Sequence, residues 1–385
     1  MSALDRCYNI ADLRRLAKRR LPRPMFDYID GAAEDEITLR RNTEAFSEYD
    51  IVPRYLVDIS ESDTTTRVLG SELQWPVILA PTGCSRLFHH LGETAVVRAA
   101  RQSGVLYSLS TMSSVSIEDI GRATEGPKMF QIYVLRDPTL NRELIERCQV
   151  AGYNALCLTI DVPVFGNRER DLRSGMTIPP TFGPRSLLDF SRHPAWVWNY
   201  FTTPKIGMEN VSDRLDKKMR NMTTIAKYVH SQFDPSITWK EAETMIKQWG
   251  GPFAIKGVLS PDDARRALQI GATAIIVSNH GGRQLDGSIS SVEALSAIVE
   301  VVKGQAEIIL DGGIRRGSQI VKALALGANA CMLGRPYLYG LGAGGEKGVS
   351  KCLSILRSEF ERSLALSGCC RIQNLDRSFI RPRQT

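Results

Sequence analysis

His280 and Arg283 stand three residues apart in Ser278-Asn279-His280-Gly281-Gly282-Arg283-Gln284-Leu285-Asp286, directly after the apolar run Ala274-Ile275-Ile276-Val277. An imidazole can take up a proton near neutral pH, and a guanidinium offers a planar, permanently charged fork suited to a carboxylate. The pair describes a site for an acidic substrate that must lose a proton. Gly281 and Gly282 let the backbone turn sharply and let a ligand approach it closely. A lone histidine after a strand is most often a hydrogen-bonded structural residue, and the neighbouring arginine and glycines weigh against that reading here.

Two further loops combine glycine with arginine: Asp311-Gly312-Gly313-Ile314-Arg315 and Gly334-Arg335-Pro336. Glycine exposes backbone N–H groups and arginine supplies charge, which together suit a phosphate. A glycine that merely turns the chain explains one such loop more easily than both. Lys256 closes the run Phe253-Ala254-Ile255, a place that disfavours an ordinary surface lysine.

These residues need elements to position them. Short apolar runs recur at Pro76 to Ala80, Leu106 to Leu109, Met129 to Val134, Ala155 to Ile160, Phe253 to Ile255, Ala274 to Val277, Ile308 to Leu310 and Ala330 to Leu333. Most precede a stretch with helical spacing, such as Glu93 to Gln102, Leu140 to Val150, Pro261 to Ile270, Val292 to Val302 and Ser318 to Leu326. Strands buried on both faces and separated by helices pair in parallel, and eight such repeats predict a closed (β/α)8 TIM barrel. A doubly wound open sheet is the competitor, but no Gly-x-Gly-x-x-Gly follows the first strand.

Barrel enzymes place their chemistry at the C-terminal ends of the strands. Thr82, Ser110, Gln131 with Tyr133, Thr159 with Asp161, Lys256, His280, Asp311 and Arg335 all fall at or just beyond those ends. The organisation expected is one domain over 1–385: a mostly helical lead-in, 1–70, carrying Tyr28 and packed over the barrel, then the barrel, 71–385, with a long insertion at about 162–235. A connection of that length marks a lid, an interaction surface or a disordered segment.

The formal charge of +7 is compatible with nucleic acid, an anionic membrane surface or a small anionic ligand. Lysine and arginine are interspersed with acids, without a basic tract or aromatic-basic alternation, which argues against nucleic acid. Eight cysteines contain no Cys-x-x-Cys pair and read as reduced thiols, with vicinal Cys369 and Cys370 incidental. Nothing suggests a metal site. The start of the chain lacks the pattern of a secretion signal, and no apolar run reaches the roughly 20 residues that span a bilayer. The expectation is a protein neither exported nor integral.

The blocks Leu21-Pro22-Arg23-Pro24-Met25-Phe26-Asp27-Tyr28, Leu79-Ala80-Pro81-Thr82-Gly83, Gln131-Ile132-Tyr133, Leu158-Thr159-Ile160-Asp161, Lys256-Gly257, the His280/Arg283 block, Asp311 to Gly317 and Gly334-Arg335-Pro336 occur in one order along nearly the whole chain. In this the sequence resembles the FMN-dependent 2-hydroxy-acid oxidases and dehydrogenases. The resemblance implies FMN, with Pro81, Thr82 and Gly83 along the flavin ring, Ser110, Gln131 and Thr159 at its edge, and Lys256 at the N1/C2 carbonyl side. Ser278, Asp311, Gly312, Gly313, Arg315, Gly334 and Arg335 complete the implied cofactor set. An ammonium at Lys256 would stabilise the negative charge that two-electron reduction leaves there.

The same resemblance implies a small L-2-hydroxy acid oxidised to the 2-keto acid. Its carboxylate would lie on Arg283 and Tyr28, its hydroxyl on Tyr133, and His280 would be the base, supported by Asp161; Arg168 is placed behind them, as a partner of the Asp161 region. Whether His280 takes the alpha proton or the hydroxyl proton stays open. A homo-oligomer, with a tetramer foremost, is also implied.

Met112 and Gly83 replace the tryptophan and alanine of the glycolate oxidase pattern, which implies a larger pocket and places lactate first and mandelate second. Phe165 would serve either by stacking on an aryl group or by shortening the cavity. The stretch Phe233 to Trp239 is similar to bacterial-type lactate dehydrogenases. Pro194-Ala195-Trp196-Val197-Trp198-Asn199-Tyr200-Phe201, with Arg185, Arg192 and Lys205 nearby, suggests peripheral attachment to the cytoplasmic side of a membrane, where a quinone collects electrons; packing on the barrel is the alternative. An oxidase that uses oxygen shares the first half-reaction. A catalytically silent flavin-binding barrel would not need Tyr28, Lys256, His280 and Arg283 together.

Overall fold

A computed structural model describes residues 2–177, 180–211 and 232–383. Eight parallel strands close into a barrel in chain order: β1 (Val77–Leu79), β2 (Leu106–Ser110), β3 (Lys128–Ile132), β4 (Ala155–Thr159), β5 (Phe253–Val258), β6 (Ala274–Val277), β7 (Glu307–Asp311) and β8 (Ala330–Leu333). Closure is made where Met332 of β8 lies beside Ile78 of β1. Every residue of β1, β2, β3, β4, β6 and β8 is buried, as the continuous apolar runs require. Inward-facing Ile78, Met129, Cys157, Ile276 and Met332 fill the barrel. A hairpin, Thr66–Val68 with Ser71–Leu73, adds Val68, Leu69 and Leu73 to the same cluster and stoppers the end opposite the site.

The helices outside the barrel are α4 (Gly92–Gln102), α5 (Ile117–Ala123), α6 (Pro138–Val150), α10 (Trp239–Trp249), α11 (Pro261–Gln269), α12 (Ser291–Val302), α13 (Gly317–Ala325) and α14 (Arg335–Leu366). Their starts are written locally. Asp137 accepts from the N–H groups of Thr139 and Leu140 ahead of α6, and Ser290 with Glu293 forms a capping box on α12. All eight cysteines are free thiols.

The lead-in is helical only as far as residue 48: α1 (Ile10–Arg20), α2 (Arg23–Asp30), α3 (Ile37–Glu44) and a short 3-10 turn. The chain then forms a strand, Tyr49–Ile51, antiparallel to Ile380–Pro382, and an exposed loop, which corrects the expectation of a mostly helical segment through residue 70. Val52, Tyr55, Leu56 and Ile59 have helical spacing but stay exposed; Pro53 and the left-handed Leu56, φ 62°, keep the stretch from continuing as a helix. α1 packs along α14, and α2 lies over the open end of the barrel.

The described parts of the insertion form α7 (Glu169–Ser174), α8 (Pro184–Ser191) and α9 (Pro194–Thr202). Residues 212–231 of the expected insertion lie outside the described residues.

Candidate active site

A cavity of about 820 Å³ opens at the C-terminal ends of the strands. Just beyond the end of β6 stands His280, which holds left-handed backbone angles, φ 57°, that a residue other than glycine adopts at a cost. Two contacts hold it there: its N–H donates to Ser278 Oγ at 3.0 Å, and Nδ1 lies 2.8 Å from Asp161 Oδ1. Asp161 therefore accepts a hydrogen bond from Nδ1–H, which keeps the proton on Nδ1 and leaves Nε2 as the acceptor. Burial pushes the imidazole below its ordinary pKa, against the opposing pull of Asp161, so the ring is neutral at neutral pH. Asp161 titrates lower than usual despite its own burial, because His280 and then Lys256 favour its charge.

A bulge in β5 lets Asp161 come this close. The register shifts between Lys256 and Val258, and Gly257, at φ +105°, faces Asp161 so closely that an added Cβ would sit 2.7 Å from Asp161 Cβ. The same strand sends Lys256 inward. Its Nζ lies 2.9 Å from Asp311 Oδ2 and donates to Ser278 Oγ at 2.9 Å, while Ser278 donates to Asp311 at 2.7 Å. Burial opposes the ammonium, but Asp311 and Asp161 override it and hold its pKa above the ordinary lysine value.

Arg283 Nη1 donates to the carbonyls of Tyr28 at 2.6 Å and Gly31 at 3.1 Å, and the guanidinium sits 4.9 Å from the Tyr28 ring centroid. One corner of the fork is thus committed to the lead-in, leaving Nε and Nη2 for a ligand. Arg168 lines the cavity and donates to Arg283 O and to Gln284 Oε1, not to Asp161 as its expected place implied. Burial, then Arg283, lowers its pKa to about 10. Tyr133 faces the cavity, and burial, then Asp161, keeps its phenol protonated.

Pro81, Thr82, Gly83, Ser110, Thr159, Gly312, Gly313, Arg315, Gly334 and Arg335 also line this cavity. Gln131, Asp161 and Ser278 stand behind its wall, bonded to Ser110, His280 and Lys256 respectively. Arg335 differs from the expectation of a free phosphate clamp. Its guanidinium donates to the carbonyls of Ile29, Gly281 and Gly31 at 2.8 to 3.0 Å, tying the lead-in to the barrel.

The residues fit a flavin mononucleotide. Gln131 Nε2 is buried without a hydrogen-bond acceptor, which a ring carbonyl could supply. At Gly334, ahead of α14, an added Cβ would meet only Ala80 Cβ at 3.8 Å, so glycine there keeps space open beside a helix N-terminus.

Sequence reasoning missed several lining residues, Asp171 and Phe233 among them. Asp171, one helical turn beyond Arg168, is buried in the cavity wall, and burial, against Arg283 and Arg168, raises its pKa to about 6. Its i, i+3 spacing from Arg168 was the available signal. Phe233 sets its ring 5.0 Å from Tyr133, tilted by 53°, and edge-to-face 4.7 Å from Phe165, a meeting made only by the fold.

A barrel whose cavity joins a carboxylate-backed histidine, a buried ammonium and a glycine-arginine phosphate end defines a flavin-dependent oxidoreductase. The FMN-dependent dehydrogenase family matches residues 17–382. An L-lactate oxidase from Nostoc sp. is 41% identical over 99% of this chain and 100% of its own. An L-lactate dehydrogenase from Pseudomonas aeruginosa is 42% identical over 93% of each chain. The crystal structure of the monotopic membrane protein (S)-mandelate dehydrogenase superposes with a TM-score of 0.94 at 36% identity, covering 98% of this chain and 100% of that one. The chain belongs to the FMN-dependent dehydrogenase family, and it is an FMN-dependent 2-hydroxy-acid dehydrogenase or oxidase.

Proposed function

We propose that this protein oxidises L-lactate to pyruvate and passes the electrons to a quinone at a membrane surface. The observation that carries the chemistry is His280, neutral, held through Nδ1 by Asp161, and sharing one cavity with Arg283 and Tyr28. Arg283 and Tyr28 bind the carboxylate, with Arg168 adding charge beside it. Tyr133 holds the hydroxyl. His280 accepts the substrate proton at Nε2, and Asp161 stabilises the imidazolium that results. FMN, when bound, accepts the two electrons. Lys256 would present its positive charge to it; Gly312, Gly313, Arg315 and Gly334 would hold its phosphate with added charge from Arg335, Ser110, Gln131 and Thr159 would contact the ring edge, and Pro81, Thr82 and Gly83 would lie along its face.

Lactate is supported by the full-length likeness to lactate enzymes and by Gly83 and Met112, which line the cavity with less bulk than alanine and tryptophan would. A second reading, mandelate, has its own observation: Phe165, Phe233 and Tyr133 form an aromatic wall on which an aryl group can stack. Comparing kcat/KM for glycolate, L-lactate, D-lactate and L-mandelate tests the order. A preference for mandelate would promote the second reading, and oxidation of D-lactate would overturn the proposed anchoring.

Membrane docking is supported by α8 and α9. Trp198 and Phe201 are 70% and 78% exposed, and Leu187 and Leu188 stand out beside them. Trp196 belongs to the protein's own packing, since it donates to Leu87 O at 2.8 Å and stacks on Phe190. No helix among the described residues is long and apolar enough to cross a membrane. The attachment we propose is peripheral, on the cytoplasmic face, and the protein a homo-oligomer with a tetramer foremost. Anaerobic bleaching by L-lactate, then exposure to oxygen or a quinone, separates dehydrogenase from oxidase: rapid reoxidation by oxygen would overturn the quinone assignment.

A further inference from the structure

A second cavity, of about 520 Å³, lies between the end of α1, the turn after β1, and α9. Arg19, Arg20, Arg86 and Arg192 line it with His89, His90 and His193, and no acidic residue does. Arg86 donates to the carbonyls of His90, Pro204 and Lys205, and Arg20 to that of Ala343. Those carbonyls satisfy hydrogen bonds but neutralise no charge. The guanidinium groups of Arg19 and Arg192 have neither an ion pair nor a hydrogen bond among the described residues. His90 Nδ1 is buried without a partner, and the His89 ring stacks on His90 at 4.3 Å. Burial, then His90 and Arg20, lowers the His89 pKa to about 4, as a positive surrounding would. Among the described residues the carboxylate that touches a lining side chain is Asp189, 3.9 Å from His193 Nδ1, and it also accepts from the N–H of Arg23.

Four permanent cations around one hollow, three of them reaching solvent, create a positive potential there that attracts an anion. α9 supplies the direction from which that anion comes. Trp196, Asn199, Tyr200 and Thr203 face the hollow, whereas Trp198 and Phe201, on the other side of the same helix, are exposed. We propose that this cavity seats the phosphate of an acidic lipid headgroup, drawn up beside α9 while the outer face of that helix rests among the acyl chains. The proposal rests on the reading of α8 and α9 as a docking face. It adds a defined site to that face, where general attraction between a basic surface and an anionic bilayer would need none.

The test uses FMN-loaded protein sedimented with phosphatidylcholine vesicles, with or without phosphatidylglycerol. Wild-type protein prefers the acidic vesicles, and Arg19→Gln/Arg192→Gln lowers that partition by about 30-fold, as two arginines at a bilayer surface should. Arg122→Gln/Arg265→Gln, with the same loss of charge on α5 and α11, retains the preference, and both variants keep their flavin spectrum and dye-linked turnover. Inorganic phosphate competes with acidic vesicles more strongly than chloride of equal ionic strength. Equal binding of wild type to both vesicles leaves docking intact and overturns the headgroup site. No binding to either overturns both. Equal losses in the two variants, or protection by inorganic phosphate without any lipid preference, also overturn the proposal.

Discussion

Gly83 and Met112 meet across the cavity wall: a Cβ built on Gly83 would lie 3.0 Å from Met112 Cβ and 3.2 Å from Met112 O. The two departures from the glycolate oxidase pattern are therefore one feature. Met112 N–H also donates to Ser110 Oγ, which donates to Gln131, so pressure at residue 83 reaches the row of polar groups facing the flavin.

Met112→Trp should fill the corner occupied by the substrate methyl. The ratio of kcat/KM for L-lactate to that for glycolate falls by about 10- to 200-fold, the range for one methylene in an apolar pocket. Gly83→Ala should slow flavin reduction by L-lactate by roughly tenfold while FMN stays bound, because Met112 must shift to admit the methyl. Stopped-flow reduction and flavin content measure both.

His280→Gln should retain FMN and lose about 10²- to 10⁴-fold in anaerobic flavin reduction, the contribution of a positioned base. In wild-type enzyme the acidic limb of kcat/KM should turn below the ordinary imidazole value of about 6.5, since burial lowers the His280 pKa. Activity is present above that limb and lost as pH falls through it. A midpoint above the ordinary value would contradict the geometry.

Lys256→Met removes the cation beside Asp311, whose side chain is only 10% exposed. Stranding that carboxylate should cost about 3–5 kcal/mol of stability, seen as a lower Tm. Lys256→Met/Asp311→Asn should regain most of the Tm without restoring flavin reduction, separating burial of charge from chemistry.

Asp171→Asn should make folding less sensitive to pH between 3.8 and about 6. The Asp171 pKa is raised from 3.8 to about 6, so the protonated acid favours the folded state. Its contribution is complete below the unfolded value and is lost as pH rises through about 6. Relative to the Asn variant, the wild-type Tm falls across that window and is flat above it.

The eight strands and the helices between them were legible because fully buried parallel strands and amphipathic helices leave different periods in the sequence. Pro261 to Ile270 and the observed Pro261–Gln269 differ by a single residue. The positions of His280, Lys256 and Asp161 were legible for the same reason, as strand ends. Partners were not. Gly334-Arg335 reads as a phosphate loop, yet the guanidinium of Arg335 meets carbonyls of Ile29 and Gly31 that lie far away in sequence. Phe233 reaches Tyr133 by way of a long connection that carries no register. The aromatic run of α9 pointed to a surface, but its helical phase turned Trp196 inward and Trp198 outward.

The hold of Arg335 on the lead-in bears on how the enzyme is made. Tyr28 precedes the barrel strands in the chain, whereas α14, against which α1 packs, follows the last of them. Until α14 has been synthesised, α1 lacks the surface on which its apolar face settles, so the lead-in docks only after the barrel strands have been made. A chain cut short before Arg335 lacks the guanidinium that ties Ile29 and Gly31 to the barrel, and with it the contacts that set the lead-in over the site.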